Sequence, residues 1–382
     1  MKIAYVTTYE SSDIHAWSGL GIYILRALQD AGFQTECIGN LGKGNNWAQL
    51  SRLKRNYYTS VRSRQYLEDR EPGILKWYAA QVKKRLASVH HDIVFSPGTI
   101  PIAYLQTKKP IVFWADATFA GMIDFYPGFS NLCAETIKNG NKMEQLALSK
   151  CRLAIYSSEW AANTAMKNYN VDPAKVKVVP FGANIPCSRD LTEIGKIIDI
   201  KGFDICKLLF LGVDWHRKGG EKALEVASLL NQRGIRTELL IAGCNQPSIT
   251  LPSFAKYHGF ISKRTEEGLK DLETLFSESH FLILPSRAEC YGVVFAEASS
   301  FGLPSLATKV GGIPTAIRDG KNGWTFPLGE TTETYCDYIG RYMSSKADYK
   351  ELALSSFQEY SERLNWLSAN RKVYDLLQEF CG

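Results

Sequence analysis

The 382-residue sequence predicts an α/β protein divided into two parallel-sheet domains. Three observations carry that expectation. Short apolar runs with strand character alternate with segments of helical spacing, an order that requires crossover connections and a sheet covered on both faces. The alternation is interrupted by a polar stretch at about 185–202 and then resumes. The length suffices for two domains of ordinary size.

In the first half, strands are read at 2–8, 34–39, 92–96, 111–114, 153–157 and 176–180, with helices at 22–31 and 160–169. The second half opens with a strand at 207–212, followed by a helix, a strand at 237–242 and the apolar run 280–285. A helix is read over 293–301, stopped by Gly302. Two Rossmann-like domains, 1–184 and 185–361, are the natural division. The closing segment 362–382 carries Leu364, Trp366, Leu367, Tyr374, Leu376, Leu377 and Phe380 at mixed helical spacing, which by itself indicates an amphipathic helix.

Composition narrows the class. Hydrophobic content of 45% with 22% charged residues is that of a soluble globular protein. No run of eighteen apolar residues occurs, which excludes a spanning helix, and the amino terminus reads as a strand, so a cytoplasmic location is expected. Nine cysteines without a Cys-x-x-Cys pair argue against a disulfide framework or a zinc site. The net charge of +6 is concentrated in 50–90, where basic residues are interleaved with Tyr57, Tyr58, Tyr66, Trp77 and Tyr78. That pattern suits peripheral contact with an anionic membrane surface or a charged acceptor, and a solvated basic helix face explains it equally well. No nucleic-acid motif accompanies it, so nucleic acid is not expected as a partner.

The strongest chemical signal is Arg287-Ala-Glu289-Cys-Tyr291-Gly292-Val293-Val-Phe-Ala-Glu297, two carboxylates around a tyrosine-glycine turn. It follows a strand and opens a helix. In an open α/β sheet that position receives ligands, and helix-start N–H groups suit a phosphate. Downstream stand Gly302-Leu-Pro-Ser-Leu-Ala-Thr308, Gly311-Gly312-Ile313-Pro314 and Asp319-Gly-Lys-Asn-Gly323. This series, with its Glu-x7-Glu pair, resembles the retaining glycosyltransferases of family 4 over nearly the whole chain.

The resemblance implies the GT-B fold: two Rossmann-like domains facing each other across a ligand cleft, with the last helix crossing back to the first domain. It also implies a nucleoside-diphosphate sugar as donor. Glu289 would meet the transferred sugar and Glu297 the ribose, while backbone N–H groups of Tyr291, Gly292 and Val293 would meet the distal phosphate. The base would rest near Gly259-Phe260-Ile261.

Such a transfer must stabilise charge on the departing diphosphate. No Asp-x-Asp metal clamp occurs, so fixed cations are expected and no metal or other cofactor. Arg217 and Lys218, in Gly212-Val-Asp-Trp-His-Arg217-Lys218-Gly219-Gly220, supply them. Family members usually have an arginine directly after the strand glycine; Val213 stands there instead. Gly19 and Gly21, between the first strand and helix, let backbone approach a diphosphate, whereas Ile24 breaks the dinucleotide fingerprint.

On the acceptor side, Asp116 ends a strand where many family members place a histidine, and Asp13, His15 and Trp17 lie in the loop after the first strand. Asp116, Glu289, Arg217 and Lys218 are the candidate catalytic residues. The expected reaction moves a sugar, with retention, to an acceptor hydroxyl on a glycan or lipid-linked glycan intermediate of cell-surface polysaccharide synthesis. The donor base stays open between uridine and guanosine. A non-catalytic glycosyltransferase-like subunit and a sugar-nucleotide epimerase of the same architecture are the alternatives.

Overall fold

The computed structural model describes residues 1–14 and 16–381, apart from the side chain of Ser18. His15, among the expected acceptor residues, lies outside the described residues. The chain divides into two compact units, Met1–Pro180 joined by the chain from Ala369, and Phe181–Ser368.

The first unit holds six parallel strands: β1 (Lys2–Val6), β2 (Gln34–Ile38), β3 (Ile93–Ser96), β4 (Ile111–Ala115), β5 (Leu153–Tyr156) and β6 (Val176–Val178). Their order is β2-β1-β3-β4-β5-β6. Strands β3, β4 and β5 are buried at every residue, because helices cover both faces of the sheet. Trp114, fully buried in β4, still needs a partner for its indole N–H and donates to Val179 O at 3.0 Å.

The last helix, Trp366–Cys381, buries Val373 and Leu377. Its Tyr374 ring stacks on Phe33 at 5.4 Å, and Phe380 O accepts from Arg152 Nε at 2.8 Å. From Ala369 onward it is part of the first unit.

The second unit also has six parallel strands: β7 (Cys206–Leu211), β8 (Thr237–Ala242), β9 (Ala255–Gly259), β10 (Phe281–Leu284), β11 (Ser305–Thr308) and β12 (Gly323–Phe326). The order β12-β11-β10-β7-β8-β9 reverses direction between β7 and β10. In open α/β sheets ligands bind at such a switch point, at the carboxyl edge of the sheet. The 212–219 turn and the 285–292 loop are the two loops that leave β7 and β10 there.

The polar stretch 185–202 is not a plain break, because it contains the helix Leu191–Ile200. Asp190 caps it and Glu193 returns a bond to the Asp190 N–H, a complete capping box. Ile194 and Ile198, one turn apart, are buried, each contributing about 2 kcal/mol. The basic stretch likewise forms two helices, Asn45–Arg62 and Pro72–Leu86. Part of its charge is compensated: Arg55 pairs with Glu68, which also meets Lys43, and Lys54 pairs with Glu71 at 2.8 Å and with Glu135 at 2.6 Å. Leu53 and Val61 remain exposed on the first of these helices.

Candidate functional site

The site in the second unit is built on the two loops that leave β7 and β10 at the switch point. After β7 the chain turns at once: Arg217 N donates to Asp214 Oδ1 at 3.0 Å and Lys218 N to Asp214 O at 3.0 Å. Gly219 closes the turn with φ +79°, and a Cβ there would lie 2.0 Å from Pro285 O. The turn is therefore pressed against the end of β10, with Trp215 folded onto Phe210 beneath it at 5.1 Å. Arg287 N donates to Arg217 O at 2.7 Å, tying the two loops together.

This packing brings Arg217, Lys218 and Glu289 together. Lys218 Nζ forms an ion pair with Glu289 Oε2, and Arg217 Nη1 donates to Ala288 O at 2.9 Å and approaches the same carboxylate at 3.4 Å. Lys218 and Glu289 are each 7% exposed. A buried ammonium and carboxylate are tolerable only because they meet. The expected phosphate cations thus rest on the expected sugar-binding carboxylate.

The remaining second-unit candidates have distinct settings. Gly312 N donates to Glu289 O at 3.1 Å, so the Gly311-Gly312 run fixes the backbone of the loop. Tyr291 is fully buried; its hydroxyl donates to Phe181 O at 2.8 Å, and burial raises its pKa. Its ring is a packing element, leaving only its backbone for a ligand. Gly292, φ +84°, precedes the helix Val293–Ser299, where Val293 is the first residue. Glu297, 2% exposed on that helix, pairs with Lys263 from the loop after β9, and half-buried Ile261 stands on the same loop. Glu289 and Glu297 therefore engage different cations from different loops.

Sequence reasoning missed Lys263 because a lysine in a polar loop carries no periodic or motif signal. It also missed Asp214, although an aspartate three residues before Arg217 is the spacing at which a side chain caps a turn.

In the first unit, Trp17 Nε1 donates to Asp116 Oδ2 at 3.2 Å. This joins the loop after β1 to the loop after β4. Gly19 adopts φ +81° before the helix Leu20–Asp30, and Gly21 lies under Tyr9, whose hydroxyl oxygen would be 2.3 Å from an added Cβ. Burial, then the charges of Asp13 and Asp116, raise the Tyr9 phenol pKa. Tyr9 is thus a further residue of this corner. Among the described residues, no group of three or more His, Cys, Asp or Glu is placed to hold a metal ion, and no helix is long and apolar enough to cross a membrane.

Comparison with known proteins bears on the family and the fold. The model for Glycosyltransferase Family 4 matches residues 22–185, and that for Glycosyl transferases group 1 matches 206–345. The D-inositol 3-phosphate glycosyltransferase of Streptomyces scabiei is 28% identical over 249 residues, 60% of this chain and 55% of that protein. The match therefore spans little more than half the length of that relative. Sucrose-phosphate synthase from Thermosynechococcus elongatus shares the fold with a TM-score of 0.71 at 15% identity, over 99% of this chain and 98% of that one. Anabaena HepE, solved with UDP and glucose, gives 0.64 at 14% identity over 99% of each chain. The fold over the whole length is the GT-B fold of these neighbours, and with the family-4 model matching its amino-terminal part and the group 1 model its second unit, the chain belongs to the family-4 glycosyltransferases.

Proposed function

We propose that the protein transfers a sugar, with retention of anomeric configuration, from a nucleoside-diphosphate sugar to an acceptor hydroxyl. One observation carries this: Arg217 and Lys218 close on Glu289 at the carboxyl ends of β7 and β10, where the strand order reverses. That site offers a forked guanidinium and a compact ammonium to a diphosphate, and a carboxylate to sugar hydroxyls.

In the reaction, the bond from the anomeric carbon to the β-phosphate oxygen breaks and the acceptor oxygen attacks the same face. The proton released by the acceptor passes to the departing phosphate oxygen. Arg217 and Lys218 meet the charge that grows on that oxygen, which is where transition-state stabilisation is most effective. No metal enters this scheme. Asp116, held by Trp17, positions acceptor or sugar hydroxyls.

HepE was solved with UDP, which supports uridine as the first base to test. The names of the sequence relatives support an acceptor hydroxyl. We favour a glycan or lipid-linked glycan intermediate of cell-surface polysaccharide synthesis, met in the cytoplasm. The exposed Leu53 and Val61 suit a peripheral approach to an anionic membrane.

The experiment is a thermal-shift screen with UDP and GDP, followed by a transfer assay with the sugars of the stabilising nucleotide. Stabilisation by one diphosphate is expected through binding to the native state. Glu289→Gln should abolish transfer and retain the fold. No stabilisation by either nucleotide and no transfer would move the assignment to a non-catalytic partner subunit.

A further inference from the structure

Given the donor role proposed above, we propose that Lys263 is a third cation of the nucleotide site. It rests on Glu297 in the free protein and passes to the diphosphate when a ribose takes its place.

Glu297 is a buried carboxylate, 2% exposed, on the helix that follows β10. Its charge needs a partner. The partner does not come from its own helix: Lys263, whose side chain is 35% exposed, reaches it from the loop between β9 and the helix Glu266–Glu278. In the sheet, β9 and β10 are separated by β7 and β8. The ion pair therefore links loops from strands that are not neighbours, and the end of β7, which carries Arg217 and Lys218, lies between them.

Each end of the pair has a separate preferred partner in a nucleoside diphosphate. A carboxylate accepts two O–H bonds from a vicinal diol, which would displace the ammonium. The displaced ammonium stays charged and seeks an anion, and the diphosphate is esterified to the same ribose. A lysine on a flexible four-carbon stem can make that change without moving backbone.

The test compares wild type, Lys263→Met and Lys263→Arg by titration calorimetry with UDP and GDP and with uridine and guanosine. Lys263→Met should weaken the bound diphosphate at least tenfold and leave the matching nucleoside unchanged or tighter, because nothing then competes for Glu297. Lys263→Arg should recover most of the loss. Equal losses for diphosphate and nucleoside would mean that Lys263 only positions Glu297, and no loss for either would also overturn the proposal. If wild type binds neither diphosphate, the donor role itself fails, which is a different result from tight wild-type binding unaffected by the variant. Because Lys263→Met leaves Glu297 buried without its cation, Lys263→Met/Glu297→Gln is measured alongside. It should regain thermal stability and still bind the diphosphate poorly; full diphosphate affinity in that double variant counts against Lys263.

Discussion

Lys218 and Glu289 form an ion pair in which each residue is 7% exposed, and it joins the turn after β7 to the loop after β10. Removing one partner of such a pair leaves an uncompensated buried charge, at a cost of about 3–5 kcal/mol. Lys218→Met and Glu289→Ala should each lower the thermal midpoint by several degrees. The double variant Lys218→Met/Glu289→Gln should recover most of the stability without recovering transfer. Calorimetric scans beside a transfer assay check this. Additive stability losses in the double variant would show that the two charges do not depend on each other.

Gly219 and Gly234 allow the close packing of the site to be separated from backbone conformation. Both have positive φ, +79° and +84°, but an added Cβ would be 2.0 Å from Pro285 O at Gly219 and would meet nothing within 4 Å at Gly234. Gly234→Ala should cost only the left-handed penalty of about 1–2 kcal/mol. Gly219→Ala must also push the turn off β10, so it should be more destabilising and weaken nucleotide binding. Urea unfolding of both variants decides it; equal losses would mean that the turn is not pressed on β10.

Trp17 and Asp116 supply a prediction for the first unit. The indole N–H donates to a carboxylate, a charge-assisted bond of about 1.5–3 kcal/mol. Trp17→Phe should lower kcat by about tenfold, consistent with losing one such bond, and leave the Kd for nucleoside diphosphate unchanged. Weakened nucleotide binding with kcat intact would move Trp17 from orienting Asp116 to the donor side.

The pattern of buried strands made the fold legible, because β3, β4, β5 and β10 are short, buried throughout and apolar except for Ser96. The edge strand β9, Ala255–Gly259, carries Lys256, Tyr257 and His258 and shows no apolar run, since one side of it has no neighbouring strand. The helix Leu191–Ile200 was legible in principle from Asp190 and Glu193, but its surrounding polarity masked the two isoleucines that anchor it. In the site, Glu289, Arg217 and Lys218 stood out by motif. Their mutual pairing did not, because a motif fixes where residues fall along the chain and says nothing about which charges meet in the unliganded protein. Lys263 illustrates the same gap from the other direction: its pairing with Glu297 is a contact across thirty-four residues.

Lys201 gives a pH prediction remote from the site. It is buried at the end opposite the site, where its ammonium donates to Ser279 O and lies 5.7 Å from the Tyr349 ring centre. Burial, reinforced by the charge of Lys207, lowers its pKa from 10.5 to about 7. An unfolded chain would hold this proton up to the ordinary lysine range, so between pH 7 and about 10.4 the unfolded state binds more protons and stability rises with pH. Below pH 7 both states are protonated and the penalty, on the order of 5 kcal/mol, is fully present. Buried thiols such as Cys206, whose pKa is raised by burial, act in the opposite direction above pH 8.5, so the variant comparison is needed to isolate the lysine. Lys201→Met should therefore be more stable than wild type at pH 7, with the advantage shrinking by pH 9.5. Urea unfolding at the two pH values measures it, and an advantage that does not change with pH would mean that Lys201 keeps its proton in the folded protein.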